Sequence, residues 1–99
     1  MTFRQFYEST RDAIARYGLD EICRWSASVR VTDEATFWWR IEVNHKSSSR
    51  FVFAETSTPI EALAALESGA REKFPEAFLE ENLSLTDVEQ IAPKQEVQQ

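Results

Sequence analysis

The sequence predicts an α+β fold in which two helices pack on one face of a three-stranded antiparallel sheet, in the order α-β-β-β-α. Three observations carry this. Apolar residues recur at helical spacing near each end of the chain, each run preceded by a capping signature. Between them lie three segments of strand character. The connectors "TDEAT" and "HKSSS" between those segments are short and polar, as hairpin turns require.

The first helix is expected over residues 2–17. Phe3, Phe6, Tyr7, Thr10, Ile14 and Tyr17 recur every three or four positions and define one face. Thr2 followed by Gln5 forms a capping box, and Gly18 suits a left-handed stop. "RWSASVRVT" (24–32) alternates, with Trp25, Ala27, Val29 and Val31 on one side and Ser26, Ser28, Arg30 and Thr32 on the other. The second strand, 36–44, sets Phe37, Trp39, Ile41 and Val43 against Trp38, Arg40, Glu42 and Asn44. A symmetric 32–36 turn places Val31 opposite Phe37, Val29 opposite Trp39 and Arg30 opposite Trp38, keeping both apolar sets on one face. In the third strand, 50–56, both alternating sets are apolar; by size Phe51 and Phe53 go inside, leaving Val52 and Ala54 outside.

The second helix follows in "STPIEALAALESGAREKF". Thr58 is the N-cap, Pro59 the first helical residue and Glu61 the capping-box acid. Ile60, Leu63, Ala64, Leu66, Ala70 and Phe74 form its apolar stripe, and Pro75 marks its end. Residues 83–91 read as either an edge strand or a short helix that extends the fold. The expected domain spans 1–92, with 93–99 a disordered tail.

The element order resembles that of double-stranded-RNA-binding domains. That family holds phosphates with lysines at the start of its second helix. Here Thr58 to Leu66 contains only Glu61 as a charged residue, so the function does not carry over with the order.

Ninety-nine residues suffice for one domain with one core. The chain carries a net charge of −6, unevenly distributed. Residues 1–54 hold eight Lys/Arg and seven Asp/Glu, whereas 55–99 hold three and ten. An acidic C-terminal half repels nucleic-acid phosphate and attracts a basic partner. Glu61, Glu67, Glu72, Glu76, Glu80 and Glu81 are its candidate contacts. The plainer reading is that these acids keep a helix and a tail solvated. Cys23 is alone, which fits a reducing, cytoplasmic setting. No secretory leader and no run long enough to span a membrane is visible, so no membrane partner is expected.

No catalytic, cofactor-binding or metal-binding constellation stands out. One His and one Cys are too few for an ordinary zinc site, and two glycines cannot build a phosphate loop. Ser47, Ser48 and Ser49 beside His45 lack the held geometry of a triad. An enzyme is therefore not expected.

The adjacent tryptophans pose the sharpest question, because neighbours in a strand face opposite ways. Trp39 is assigned to the core and Trp38 to the outer sheet face with Arg30, Arg40, Glu42 and Val52. Trp and Arg are enriched at binding hot spots, so this face is the candidate protein interface, a homodimer contact among the options. The competing possibility is that residues 79–91 fold back over Trp38. The expected function is a small acidic non-catalytic binding protein, such as a regulator, an inhibitor or an accessory protein of a phage or mobile element. The alternative is a nucleic-acid module using the Arg/Trp face and a 45–50 loop carrying His45, Lys46 and Arg50.

Overall fold

The computed structural model describes residues 1–79. Glu80, Glu81, the 83–91 extension and the 93–99 tail lie outside the described residues. The elements run α1 (Phe3–Arg16), a 3-10 turn (Leu19–Glu21), β1 (Cys23–Val31), β2 (Phe37–His45), β3 (Phe51–Thr56), α2 (Pro59–Lys73) and a second 3-10 turn (Pro75–Phe78). The sheet is antiparallel in the order β1-β2-β3, and the predicted α+β class holds.

Helix α1 starts at a complete capping box. Thr2 Oγ1 accepts the Gln5 N–H at 3.1 Å, and Gln5 Oε1 accepts the Thr2 N–H at 2.8 Å. It stops where Gly18 adopts φ 73°, a conformation that glycine reaches without steric cost. Its buried face is Phe6, Thr10, Ala13 and Ile14, with the Thr10 hydroxyl donating to the Phe6 carbonyl at 2.8 Å. Phe3 and Tyr7, expected on that face, are exposed at its margin.

The β1–β2 register is the predicted one, with Val31 opposite Phe37, Val29 opposite Trp39 and Arg30 opposite Trp38. The turn closes through the Ala35 N–H donating to the Thr32 carbonyl at 2.9 Å, with Ala35 at φ 61°. Helix α2 is capped by Thr58, whose Oγ1 accepts the Glu61 N–H at 3.2 Å and whose hydroxyl donates to the Glu61 carboxylate at 2.8 Å. Its buried face is Ala62, Leu66 and Ala70, continued by Phe74. Ile60 and Ala64, expected in the stripe, are exposed because the helix presents its Ala62 side to the sheet.

Both helices cover one sheet face. Phe6 meets Trp39 edge-on at 5.1 Å, and Tyr7 lies 5.2 Å from Trp25, which seats α1 over β1 and β2. Trp39 is accordingly half-buried at the margin of the core rather than at its centre. Helix α2 sits over β3. A Cβ added to Gly69 would come within 2.6 Å of Val52 Cγ1, so the missing side chain sets how closely helix and strand approach.

That approach reverses the expected phase of β3. Val52 (5% exposed) and Ala54 lie under the helix, while Phe51 (55%) and Phe53 (47%) point to the open face. The register agrees, pairing Val43 with Val52 and Ile41 with Ala54 on the covered side. Beneath so close a helix there is room for Val and Ala and not for two phenyl rings. Val52 therefore does not belong to the outer surface.

Candidate functional site: the open sheet face

Alternation along three paired strands brings Arg24, Ser26, Ser28 and Arg30 from β1 to one face. Trp38, Arg40, Glu42 and Asn44 join them from β2, and Phe51, Phe53 and Glu55 from β3. Four of the five predicted interface residues are thus brought together: Trp38, Arg40, Arg30 and Glu42. Val52 is on the other side. Phe51, Phe53 and Glu55 join this face because β3 takes the opposite phase to the one its side-chain sizes predict.

A ladder of charges crosses this face. Arg30 Nη2 and Nε donate to the two Glu55 carboxylate oxygens at 3.2 and 3.4 Å. Arg40 Nη2 lies 3.4 Å from Glu42 Oε1, and its Nε lies 3.8 Å from Glu55 Oε2. The Arg40 guanidinium also rests 5.0 Å from the centre of the Phe53 ring. Its Nε is shielded from solvent and makes no hydrogen bond. Ser26 Oγ donates weakly to Glu42 Oε2 at 3.5 Å. Arg30 reaches over β2 to Glu55 rather than lying on the Trp38 indole, so the cation–π contact of this face is Arg40 on Phe53. Arg24 forms no ion pair among the described residues. Trp38 is half-buried. The result is an aromatic and arginine surface whose charges are largely matched within the chain.

The serines and Lys46 of the 45–50 loop are exposed, but the charged and aromatic side chains expected to contact phosphate turn back onto the chain. The Arg50 guanidinium donates to Glu76 at 2.6 Å and to the Lys73 carbonyl at 3.2 Å, and it stacks 4.7 Å from the Phe74 centroid. The His45 ring lies nearly parallel to Phe74 at 6.1 Å, and its Nδ1 accepts the Ser47 N–H at 3.1 Å. Lys46 Nζ donates to the Glu21 carbonyl at 3.2 Å. These three residues close the end of the sheet onto the helix layer. Cys23, opposite His45, is buried, and burial pushes its thiol pKa up against the opposing influence of Arg50 and Lys46.

The acidic candidates that the structure describes lie along α2 and the turn after it, away from the open face. Glu61 is engaged in its cap. Glu67 accepts from the Tyr17 hydroxyl at 3.2 Å and lies 3.5 Å from Arg71, while Glu72 lies 3.7 Å from Lys73. Glu76 is held by Arg50, whose hydrogen bond lowers its carboxyl pKa, assisted by a backbone hydrogen bond. Between the helices runs a groove of about 390 Å³, lined by Asp12, Arg16, Tyr17, Leu63 and Glu67 among others. Among the described residues no three His, Cys, Asp or Glu side chains converge as metal ligands, and no helix is long and apolar enough to cross a membrane.

Comparison with protein-family models, with curated proteins and with solved structures finds no match.

Proposed function

We propose that this chain is a non-catalytic binding protein that docks another protein on its open sheet face, acting by occupying its partner's surface. The observation that carries the reading is the exposure of Phe51 and Phe53 beside Trp38, Arg30 and Arg40, on the face the helices leave uncovered. Solvated phenyl rings contribute little to folding, and aromatic and arginine residues are those most enriched where proteins meet. Ser26 and Ser28 leave room for an incoming side chain. Self-association centred on Trp38 is less well supported. Arg40 and Glu42, the pair such a dimer would draw across its seam, already pair within one subunit.

The reading as a single-stranded nucleic-acid platform draws on the same aromatics and on Arg24, which forms no ion pair among the described residues. Against it, Glu55 and Glu42 neutralise two of the three arginines of the face. The acids of α2 support a weaker contact with a basic surface, since each already has a partner in the chain. A lone buried thiol supports a cytoplasmic location. The test is affinity capture from the native host with the wild type and with Phe51→Ser/Phe53→Ser. A partner held by the wild type and lost by the double variant supports the reading; one retained by the variant overturns it. Titration with single-stranded RNA at two salt concentrations tests the alternative, which predicts steep weakening as salt rises.

A further inference from the structure

The edge of β1 with which no described strand pairs carries a separate inference. Among the described strands β1 lies at an edge; it is nine residues long, without proline, lysine or a break in register. Those are among the devices by which natural edges avoid pairing. Its hydrogen-bonding phase follows from both ends of the ladder. The Thr32 N–H donates to the Thr36 carbonyl, and the Lys46 N–H donates to the Ile22 carbonyl. Even-numbered residues of β1 therefore face β2, while the N–H and C=O groups of Trp25, Ala27, Val29 and Val31 point off the sheet. Among the described residues nothing pairs with those groups.

Apolar side chains flank the same edge. Val31 is 56% exposed, and Phe3 and Tyr7 are exposed on α1, where Tyr7 packs on the edge-strand residue Trp25. Phe3 lies one turn before Tyr7, with their rings 6.2 Å apart. A lone extended peptide added to β1 satisfies the backbone but leaves these rings wet. A second copy brings its own α1 over its own β1, and so a second helix layer beside the first.

We infer that two copies of this chain pair edge to edge through β1, antiparallel and two-fold symmetric about Ser28, into a continuous six-stranded sheet. This register places Trp25 against Val31 of the other copy and Ala27 against Val29, a large-with-small match on the helix-covered side. On the open side it sets Arg30 against Ser26 and Ser28 against itself. The neighbouring register, centred on Ala27, brings Arg24 opposite Arg30, and like charges directly opposed in a sheet destabilise it. Centring on Ser28 avoids that apposition and pairs the outward groups of Trp25, Ala27, Val29 and Val31, with Cys23, which points the same way, beyond the paired segment. Both open faces stay uncovered, so the inference stands or falls separately from the docking role proposed for that face.

The test combines light scattering with amide hydrogen exchange over a range of concentrations on the full chain. The wild type is expected to double in molar mass between low and high micromolar. Over the same range the amides of Trp25, Ala27, Val29 and Val31 gain protection. Ala27→Pro removes an outward N–H without touching the ladder to β2, since proline is tolerated where an edge N–H faces solvent. It is expected to remain folded and monomeric, whereas Phe53→Ser is expected to dimerise like the wild type. Four results would overturn the inference. They are a wild type that stays monomeric throughout, a dimer whose four amides remain unprotected, amides already protected in the monomer, and a folded Ala27→Pro that still dimerises. Should Ala27→Pro not fold, the exchange pattern of the wild type decides alone.

Discussion

Val52 and Ala54 lie under helix α2, whereas the larger Phe51 and Phe53 lie open on the other side of the same strand. The difference shows that side-chain size does not by itself choose the buried face. The distance between the helix and the sheet does. With Gly69 above Val52, α2 approaches β3 closely, and only small side chains fit between them. The two phenyl rings are then displaced to the face that neither α1 nor α2 covers. There Arg40 covers Phe53, and Glu55 holds both Arg30 and Arg40. One face is selected by packing. The other is free to be selected for contact.

That contrast is broken most directly by truncation on each side. Leu66→Ala, beneath α2 and fully buried, should cost about 2–5 kcal/mol in urea denaturation. Val52→Ala should cost about 1.5–3 kcal/mol, from two lost methyl groups and the space they leave. Phe53→Ala removes more atoms yet should cost less than about 1 kcal/mol, because the ring is half exposed. A Phe53→Ala loss exceeding that of Val52→Ala at low protein concentration would mean that the open face is covered in solution.

The helix approach can be probed on its own. Gly69→Ala gains roughly 1 kcal/mol of helix propensity. It also drives a methyl group into the stiff Val52 side chain, and overpacking of this kind costs about 1–3 kcal/mol. The expected outcome is a net loss of about 1 kcal/mol in the wild type, converted to a gain in the Val52→Ala background. A double-mutant cycle reads the coupling, and additive effects would show that the helix simply moves away.

Most of the fold was legible in the sequence, and the parts that were not share a cause. The β1–β2 register could be read because only one of its two alternating sets is apolar, and a one-residue slip would turn either Trp25 and Val29 of β1 or Ile41 and Val43 of β2 outward. Both helix starts could be read because Thr2 and Thr58 satisfy their caps locally. In "FVFAET" both sets are apolar, so alternation gives no phase. Information on the phase lay in the loop, since His45 pairs with Arg50 across residues 46–49 and thereby places Val52 opposite Val43. The open face is accordingly legible through Trp38, Arg30 and Arg40, while side-chain size alone sends its two most exposed aromatics to the core. The roles of His45, Lys46 and Arg50 were not legible either, because each depends on a partner distant in sequence: Phe74, Glu21 and Glu76.

The smallest expected effect concerns the Arg50–Glu76 pair, which ties the loop before β3 to the turn after α2 and so helps to hold that helix over its strand. The Arg50 hydrogen bond keeps the Glu76 carboxyl pKa below the ordinary carboxylate range in the folded chain. A depressed folded pKa means that the unfolded chain binds the proton more readily. The pair therefore contributes fully above the unfolded value of about 4.3, and its contribution is lost as pH falls through the lower folded value. Both partners are partly exposed, at 37% and 46% of their side chains, so solvent screening keeps the contribution within about 0.2–1 kcal/mol. Other carboxylates titrate in the same window, and comparison with Glu76→Gln isolates this one. Arg50→Met preserves an apolar stem over Phe74 while removing the charge. Wild-type stability is expected to fall more steeply than that of either variant as acid is added below pH of about 4.3, with the two variants alike. Equal slopes for wild type and Glu76→Gln would show that this pair does not hold the helix end in solution.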